Sequence, residues 1–256
     1  MTNIEKYYNK FNEEHRLRTR HGLVEFSTSM HHIKKMIEGR ENLKILDVGA
    51  GTGRYSVELC HLGHEVTAVE LVPRNLEVLR SKHEKIKTWQ GNALDLSFLD
   101  ENKFDITICF GPMYHLHSQE ERLCALNQIK RVTKNGGIIF VAYILNDYAV
   151  LQYCFGKNKI KDLLANGAIS EDFHCVTAPE DLYSYLRLED VNEIQKKSGL
   201  ERVKMFSQEG ASDYMRAQLN AMDEETFKLF IDYTISISER PELLGAGTHI
   251  VDVLRT

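Results

Sequence analysis

What this chain has little of narrows it first. Proline is scarce, with four in 256 residues, and no Pro-rich or low-complexity tract marks a linker. The five cysteines, at 60, 109, 124, 154 and 175, are odd in number and include no Cys-x-x-Cys pair. That argues against a disulfide framework and for reduced thiols. A basic excess is missing too: the formal net charge is −5, whereas a nucleic-acid binder usually carries a cationic footprint. Long apolar runs are absent, and stretches such as GGIIFVAYIL are too short to span a bilayer. The opening MTNIEKYYNKFNEEHRLRTR is charged and lacks the apolar core of a signal peptide, so a cytoplasmic chain with no membrane association is expected. Separated ligand pairs are lacking as well. The clusters visible along the chain are His31–His32, His115 with His117, and His174–Cys175, so no metal is expected.

What is present is an ordinary globular composition, 43% hydrophobic and 27% charged, enough for one sizeable core with or without a lid. The first 20 residues are polar, with Tyr7, Tyr8 and Phe11 interleaved. Leu23, Phe26, Met30, Ile33 and Ile37 then recur at helical spacing. Next comes an alternation of short apolar runs and amphipathic segments. LKILDVG, EVTAVEL, KIKTWQ, FDITICF and IIFVAYI read as strands. RYSVELCHLG, a segment after Pro73, and SQEERLCALNQIKRVTKNGG read as helices, the last opened by a Ser118/Glu121 capping box and closed by Asn135–Gly136. Strands alternating with helices imply a parallel sheet. Residues 145–186 are aromatic-rich and irregular. LEDVNEIQKKSGL is a further helix, ERVKMFS a sixth strand, 212–238 two helices, and HIVDVLR a seventh strand.

In such a sheet ligands bind beyond the carboxyl ends of the strands. Asp47 ends the first strand, and Gly49, Ala50, Gly51 and Gly53 follow in the turn. The glycines sit closer together than Gly-x-Gly-x-x-Gly, which would put the third at position 54, here an arginine. Glu70 ends the second strand, where a carboxylate can accept both hydroxyls of a ribose. Asn92, in GNALDL after the third strand, can read an adenine edge, while Asp95 suits a turn start. FGPMYHLH follows the fourth strand, and His115 there is the residue suited to proton transfer near neutral pH or, equally, to bonding a loop carbonyl.

Taken in order, ILDVGAGTG, VEL, GNALDL, FDITICFGPMYHL and KNGGIIFVAYI resemble the motifs of class I S-adenosylmethionine-dependent methyltransferases. The resemblance runs motif by motif over 43–144. It implies a Rossmann-like α/β fold: a seven-stranded, mostly parallel sheet with strand 7 antiparallel, helices on both faces and helical lid segments. It implies S-adenosyl-L-methionine as cofactor, with Gly49, Ala50, Gly51 and Gly53 around its methionine part and Asp47 beneath. Glu70 would hold the ribose, Leu71 would pack on adenine, and Asn92 and the Ala93 N–H would meet the adenine edge. Many members carry Asp where this chain has Asn92, and an amide makes the same contact. Phe110 would line the path to the methyl group. Tyr8 and Arg20 would be partners of the cofactor carboxylate, and His115 or Tyr114 would position or deprotonate the acceptor. The whole chain, 1–256, would be one domain. Residues 1–40 form a helical cap, 43–144 the cofactor core, 145–186 and 208–247 the lid, and 187–207 and 248–256 complete the sheet.

The expected acceptor is a small molecule, flat or partly apolar, held by the aromatic cap and lid. Three rivals stand beside this. GPMY retains one proline and the tyrosine of the Asn/Asp-Pro-Pro-Tyr motif of base methyltransferases, but Gly111 replaces the residue that would hold the amine, and the acidic balance opposes nucleic acid. A nicotinamide oxidoreductase is opposed by the glycine spacing. A non-catalytic binder of the same fold is the third.

Overall fold

The computed structural model describes residues 3–8, 10 and 13–256, without the side chains of Asn3 and Glu13; Phe11 lies outside the described residues. The apolar runs become strands β1 (Lys44–Val48), β2 (Glu65–Glu70), β3 (Lys87–Gln90), β4 (Phe104–Cys109), β5 (Thr133–Ile144), β6 (Glu201–Ser207) and β7 (His249–Arg255). They form one sheet in the order β3-β2-β1-β4-β5-β7-β6. Strand β7 is antiparallel to both neighbours and the remaining pairings are parallel.

Both faces of the sheet are covered, which is why its central strands read as unbroken apolar runs rather than alternating ones. Successive residues feed opposite cores: Ile45, Ile106 and Phe140 join one cluster, Leu46, Ile139 and Val141 the other. The helices are α1 (Asn3–Tyr8), α2 (Glu13–Arg16), α3 (Arg20–Ile37), α4 (Arg54–His61), α5 (Pro73–Ser81), α6 (Gln119–Val132), α7 (Asn146–Ala149), α8 (Ile160–Ala165), α9 (Leu188–Ser198), α10 (Arg216–Ala221) and α11 (Glu224–Ile237). Helices α3 and α4 supply Met30, Ile33 and Leu59 to the first cluster, and α6 and α9 supply Leu126, Ile129 and Ile194 to the second. The amino half of α3 also packs with α10 and α11 around Val24, Leu219 and Phe227. Among the described residues no helix is long and apolar enough to cross a membrane. All five cysteines are unpaired.

Local chemistry explains the helix ends. Thr19 caps α3 through its side chain, which accepts from the Gly22 N–H. The Ser118/Glu121 box forms as its spacing predicts, each side chain 3.1 Å from the other's main-chain nitrogen, a feature worth about 1 kcal/mol. The far end of α6 differs from expectation. The helix stops at Val132, and Thr133 already pairs with Phe104 in the sheet. The Thr133 hydroxyl donates to Ile129 O at 2.7 Å and packs against Thr107 Oγ1, so the side chain caps the helix while the backbone turns extended. Gly136, with φ of 75°, therefore lies inside β5, near the register shift against β4, and does not close the helix. Residues 145–186 are also less irregular than their composition suggests, holding α7, α8 and a π-helical turn at Val150–Phe155.

Candidate functional site: two adjoining chambers

The loops after β1, β2, β3 and β4 meet above the sheet and bound a chamber of about 300 Å³. Its floor is the glycine turn. Gly49 N and Ala50 N both donate to Val69 O, at 2.8 and 3.1 Å, which ties the turn to the neighbouring strand. A Cβ on Gly49 would lie 2.6 Å from Pro112 Cδ, and Gly53, with φ of 83°, would drive one to 2.2 Å from Leu79 Cδ1. Side chains are thus excluded where the backbone must pass close.

Asp47 is buried beneath the turn and accepts from Ser56 Oγ at 2.6 Å. Burial pushes its carboxyl up to about 6, and the nearby Glu70 charge adds to the shift. Glu70 is also buried; its Oε2 accepts from Gly51 N at 2.7 Å and its Oε1 from Val72 N at 2.8 Å. A carboxylate offers about four lone-pair sites, so one such group can serve main-chain donors and hydroxyls together. Leu71, Asn92, Ala93 and Phe110 line the same chamber. Asn92 Oδ1 accepts from Leu94 N at 3.0 Å, an Asx turn that fixes the amide. Asp95 likewise accepts from Ser97 N, so it starts a turn and does not line the chamber.

A second chamber, about 330 Å³, adjoins the first and shares Tyr8, Arg16 and Tyr114 with it. Seven tyrosines line it: 7, 8, 114, 148, 153, 183 and 185. Among them stand Glu25, Glu209 and Asp213, with Arg16, Arg216, His21 and His249 as basic neighbours. A larger depression of about 620 Å³ lies at the opposite end of the sheet, where β1 and β2 begin, and holds none of the residues named from the motifs.

Most of the residues expected from the motifs come together here. Gly49, Gly51, Glu70, Leu71, Asn92, Ala93 and Phe110 border the first chamber with Tyr8, Tyr114 and His115. Asp47 and Ala50 border a small recess beside the glycine turn, and Gly53 packs behind it. Arg20 goes elsewhere. It pairs with Glu224 and lies 4.5 Å over the Phe227 ring, between cap and lid. Arg16, in place of Arg20, touches both chambers and the recess, and Arg54 also reaches the recess.

His115 is fully committed. Its Nδ1 lies 2.8 Å from Leu182 O and its Nε2 3.2 Å from the Tyr8 hydroxyl. A carbonyl only accepts, so Nδ1 carries the hydrogen and Nε2 receives the phenol O–H. Burial pushes the ring's pKa down to about 4, which keeps it neutral at physiological pH. Sequence reasoning missed Arg16 and the Glu25, Glu209 and His249 group, whose donor atoms lie within 4.8 Å of one another.

Residues 45–137 match the family model of a methyltransferase domain. The chain is 26% identical over 184 residues to the demethylmenaquinone methyltransferase of Chlorobaculum parvum, covering 68% of this chain and 72% of that one. It is 28% identical over 104 residues to the ubiquinone biosynthesis O-methyltransferase of Pelagibacter ubique, 40% of this chain and 42% of that one. The fold is similar to that of a solved S-adenosylmethionine-dependent methyltransferase from Methanosarcina mazei, with a TM-score of 0.57 at 14% identity over 85% of this chain and 93% of that one.

Proposed function

Since the chain is a class I S-adenosylmethionine-dependent methyltransferase, we propose that its acceptor is a small hydroxylated aromatic ring, of the phenol or quinol kind, bound in the tyrosine-lined chamber. One observation carries this: the chamber bounded by the glycine turn and Glu70 shares the walls Tyr8, Arg16 and Tyr114 with a tyrosine-lined chamber of about 330 Å³. That volume suits one or two fused rings, and aromatic walls stack on flat apolar surface. Two relatives named for quinone-related methylation support the same class.

The residues of the first chamber fit the cofactor. The cradle left by Gly49 and Gly51 admits the amino-acid end, with Arg16 and Arg54 placed to meet its carboxylate. Glu70 accepts the ribose hydroxyls, Leu71 packs on the adenine, and Asn92 with the Ala93 N–H meets its edge. When bound, the cofactor supplies a methyl group already activated by a positive sulfur.

The protein's task is then alignment and dryness. The acceptor atom must be brought to about 3 Å in line with the bond that breaks, with water excluded. Phe110 and Tyr114 form the passage, and Tyr114 packs edge-on against Tyr183 with centroids 5.9 Å apart. His115, neutral and held at both nitrogens, positions Tyr8 rather than titrating.

The test pairs two measurements. Calorimetry with S-adenosylhomocysteine should register binding that Glu70→Ala weakens. Labelled methyl donor, incubated separately with a reduced naphthoquinone, an aliphatic diamine and bulk tRNA, should place label in the quinol. Label confined to the amine or the tRNA would reject the acceptor class.

A further inference from the structure

The tyrosine chamber holds a histidine that no motif announces. His249 opens β7, and because β7 runs antiparallel, its first residue pairs with Ile144 at the carboxyl end of β5, the ligand edge of the sheet. Glu209, just past β6, is buried and grips this histidine at two points. Its Oε1 accepts the His249 main-chain N–H at 2.6 Å, and its Oε2 lies 3.0 Å from the ring Nδ1. The clamp fixes the ring plane and places the hydrogen on Nδ1, leaving a lone pair on Nε2. Nε2 has no hydrogen-bond partner among the described residues, and the ring lines the chamber beside Tyr114, with centroids 5.8 Å apart.

We infer that His249, oriented by Glu209, is the base that takes the proton from the acceptor hydroxyl. This rests on the acceptor chamber proposed above. The acceptor O–H bond breaks, its electron pair stays on oxygen, and the proton joins the Nε2 lone pair. The imidazolium so formed faces the Glu209 carboxylate, and its proton passes to water as the product leaves. His249 is the catalytic group; Glu209 is a positioning residue.

The surroundings favour this histidine over its rivals. The Glu209 carboxylate, with Glu25 of α3 adding to it, holds His249 above the usual histidine range against burial and the charge of Arg16 from α2. His21, in the same chamber, is pushed down by burial and Arg216. His115 has both nitrogens engaged.

Glu25, Glu209 and His249 together resemble a set of metal ligands. Yet both Glu25 oxygens are bonded to Arg16 Nη1, at 2.8 and 3.1 Å, and both Glu209 oxygens serve His249. A divalent ion would have to displace a guanidinium, whereas a proton on Nε2 displaces nothing.

The test needs no turnover. The protein, saturated with S-adenosylhomocysteine, is titrated with 4-nitrophenol at a pH below the probe's own pKa, and the visible phenolate band is read. The wild type should bind the probe and ionise it. His249→Asn should bind it un-ionised. Glu209→Gln, close to isosteric, should lower the ratio of ionised to neutral probe at least about tenfold, the equivalent of one pKa unit. If His249→Asn fails to fold, Glu209→Gln decides. The inference is overturned if the wild type does not bind the probe, leaves it neutral, or loses no ionisation in either variant. It is also overturned if chelation abolishes the band and elemental analysis finds one divalent ion per chain. Heat from S-adenosylhomocysteine and label transfer to the quinol are read on the same preparations, so a failed base leaves the functional reading standing and a failed function is seen separately.

Discussion

Arg16 Nη1 lies 2.8 Å from Glu25 Oε2 and 3.1 Å from Oε1, so one guanidinium nitrogen spans both oxygens of a nearly buried carboxylate. The pair stands where the two chambers meet. Arg16→Met should strand the Glu25 charge and cost about 1–3 kcal/mol of folding stability in urea titrations. The double variant with Glu25→Gln should lose less than the sum of the single losses, because the two side chains act on each other. Additive losses would show that the pair does not interact.

Glu70 does two things at once, bonding Gly51 N and Val72 N while facing the first chamber. Glu70→Ala should weaken S-adenosylhomocysteine binding by about 1.5–3 kcal/mol, the range for hydrogen bonds to a charged group. The melting temperature should drop as well, since two main-chain donors lose their acceptor. Calorimetry and thermal melts on one preparation check both.

His32 is buried, stacked on Phe206 at 3.9 Å, with Nε2 2.8 Å from Ser238 Oγ and Nδ1 2.9 Å from Lys204 Nζ. Burial, with Lys204 and His31 nearby, pushes its pKa down to about 3. An unfolded chain protonates this histidine near 6.5 and the folded chain does not, so the unfolded state binds more protons between those values. Stability should therefore fall as pH drops from about 6.5 towards 3, and His32→Gln should flatten that part of the profile. Urea midpoints at several pH values are the measurement; an unchanged slope in the variant would assign the loss to other groups.

Arg202 and Asp252 face each other across β6 and β7 in a two-point bond, Nε–Oδ1 and Nη2–Oδ2 both 2.7 Å, with Asp252 fully buried. Arg202→Ala leaves that carboxylate uncompensated and should cost about 3–5 kcal/mol. Replacing both residues with apolar ones should cost far less, because the desolvation penalty disappears with the charge.

The sheet was legible because period and punctuation agree in it: apolar runs bounded by Gly63, Pro73 and Gly91 became strands and helices close to their expected limits. The antiparallel last strand came through resemblance to a family, whereas the strand order emerges only in the fold. The start of β5 was hidden, since Thr133 can serve a helix end and a strand equally well, and only pairing with Phe104 selects the strand. The helices within 145–186 were hidden because their aromatic residues follow no single stripe. HRLRTR offers arginines at 16, 18 and 20 with nothing to rank them. The fold sends Arg18 to Glu14, Arg20 to Glu224 and Arg16 inward, because Thr19 breaks the helix between them. The Glu209–His249 pair is separated by 40 residues, so no local spacing signals it. The one clue was topological: an antiparallel final strand brings its first residue to the ligand edge.

Tyr114 forms a wall of both chambers. Whatever fills one space sets the rotamers open to that ring, and so the shape offered to the other. If donor and acceptor occupy the two sides as proposed, their binding is thermodynamically linked, and linkage is symmetric: the factor by which spent donor alters acceptor affinity equals the factor by which acceptor alters donor affinity. Trimming that side chain would weaken the coupling, leaving what Tyr8 and Arg16, the other shared walls, carry.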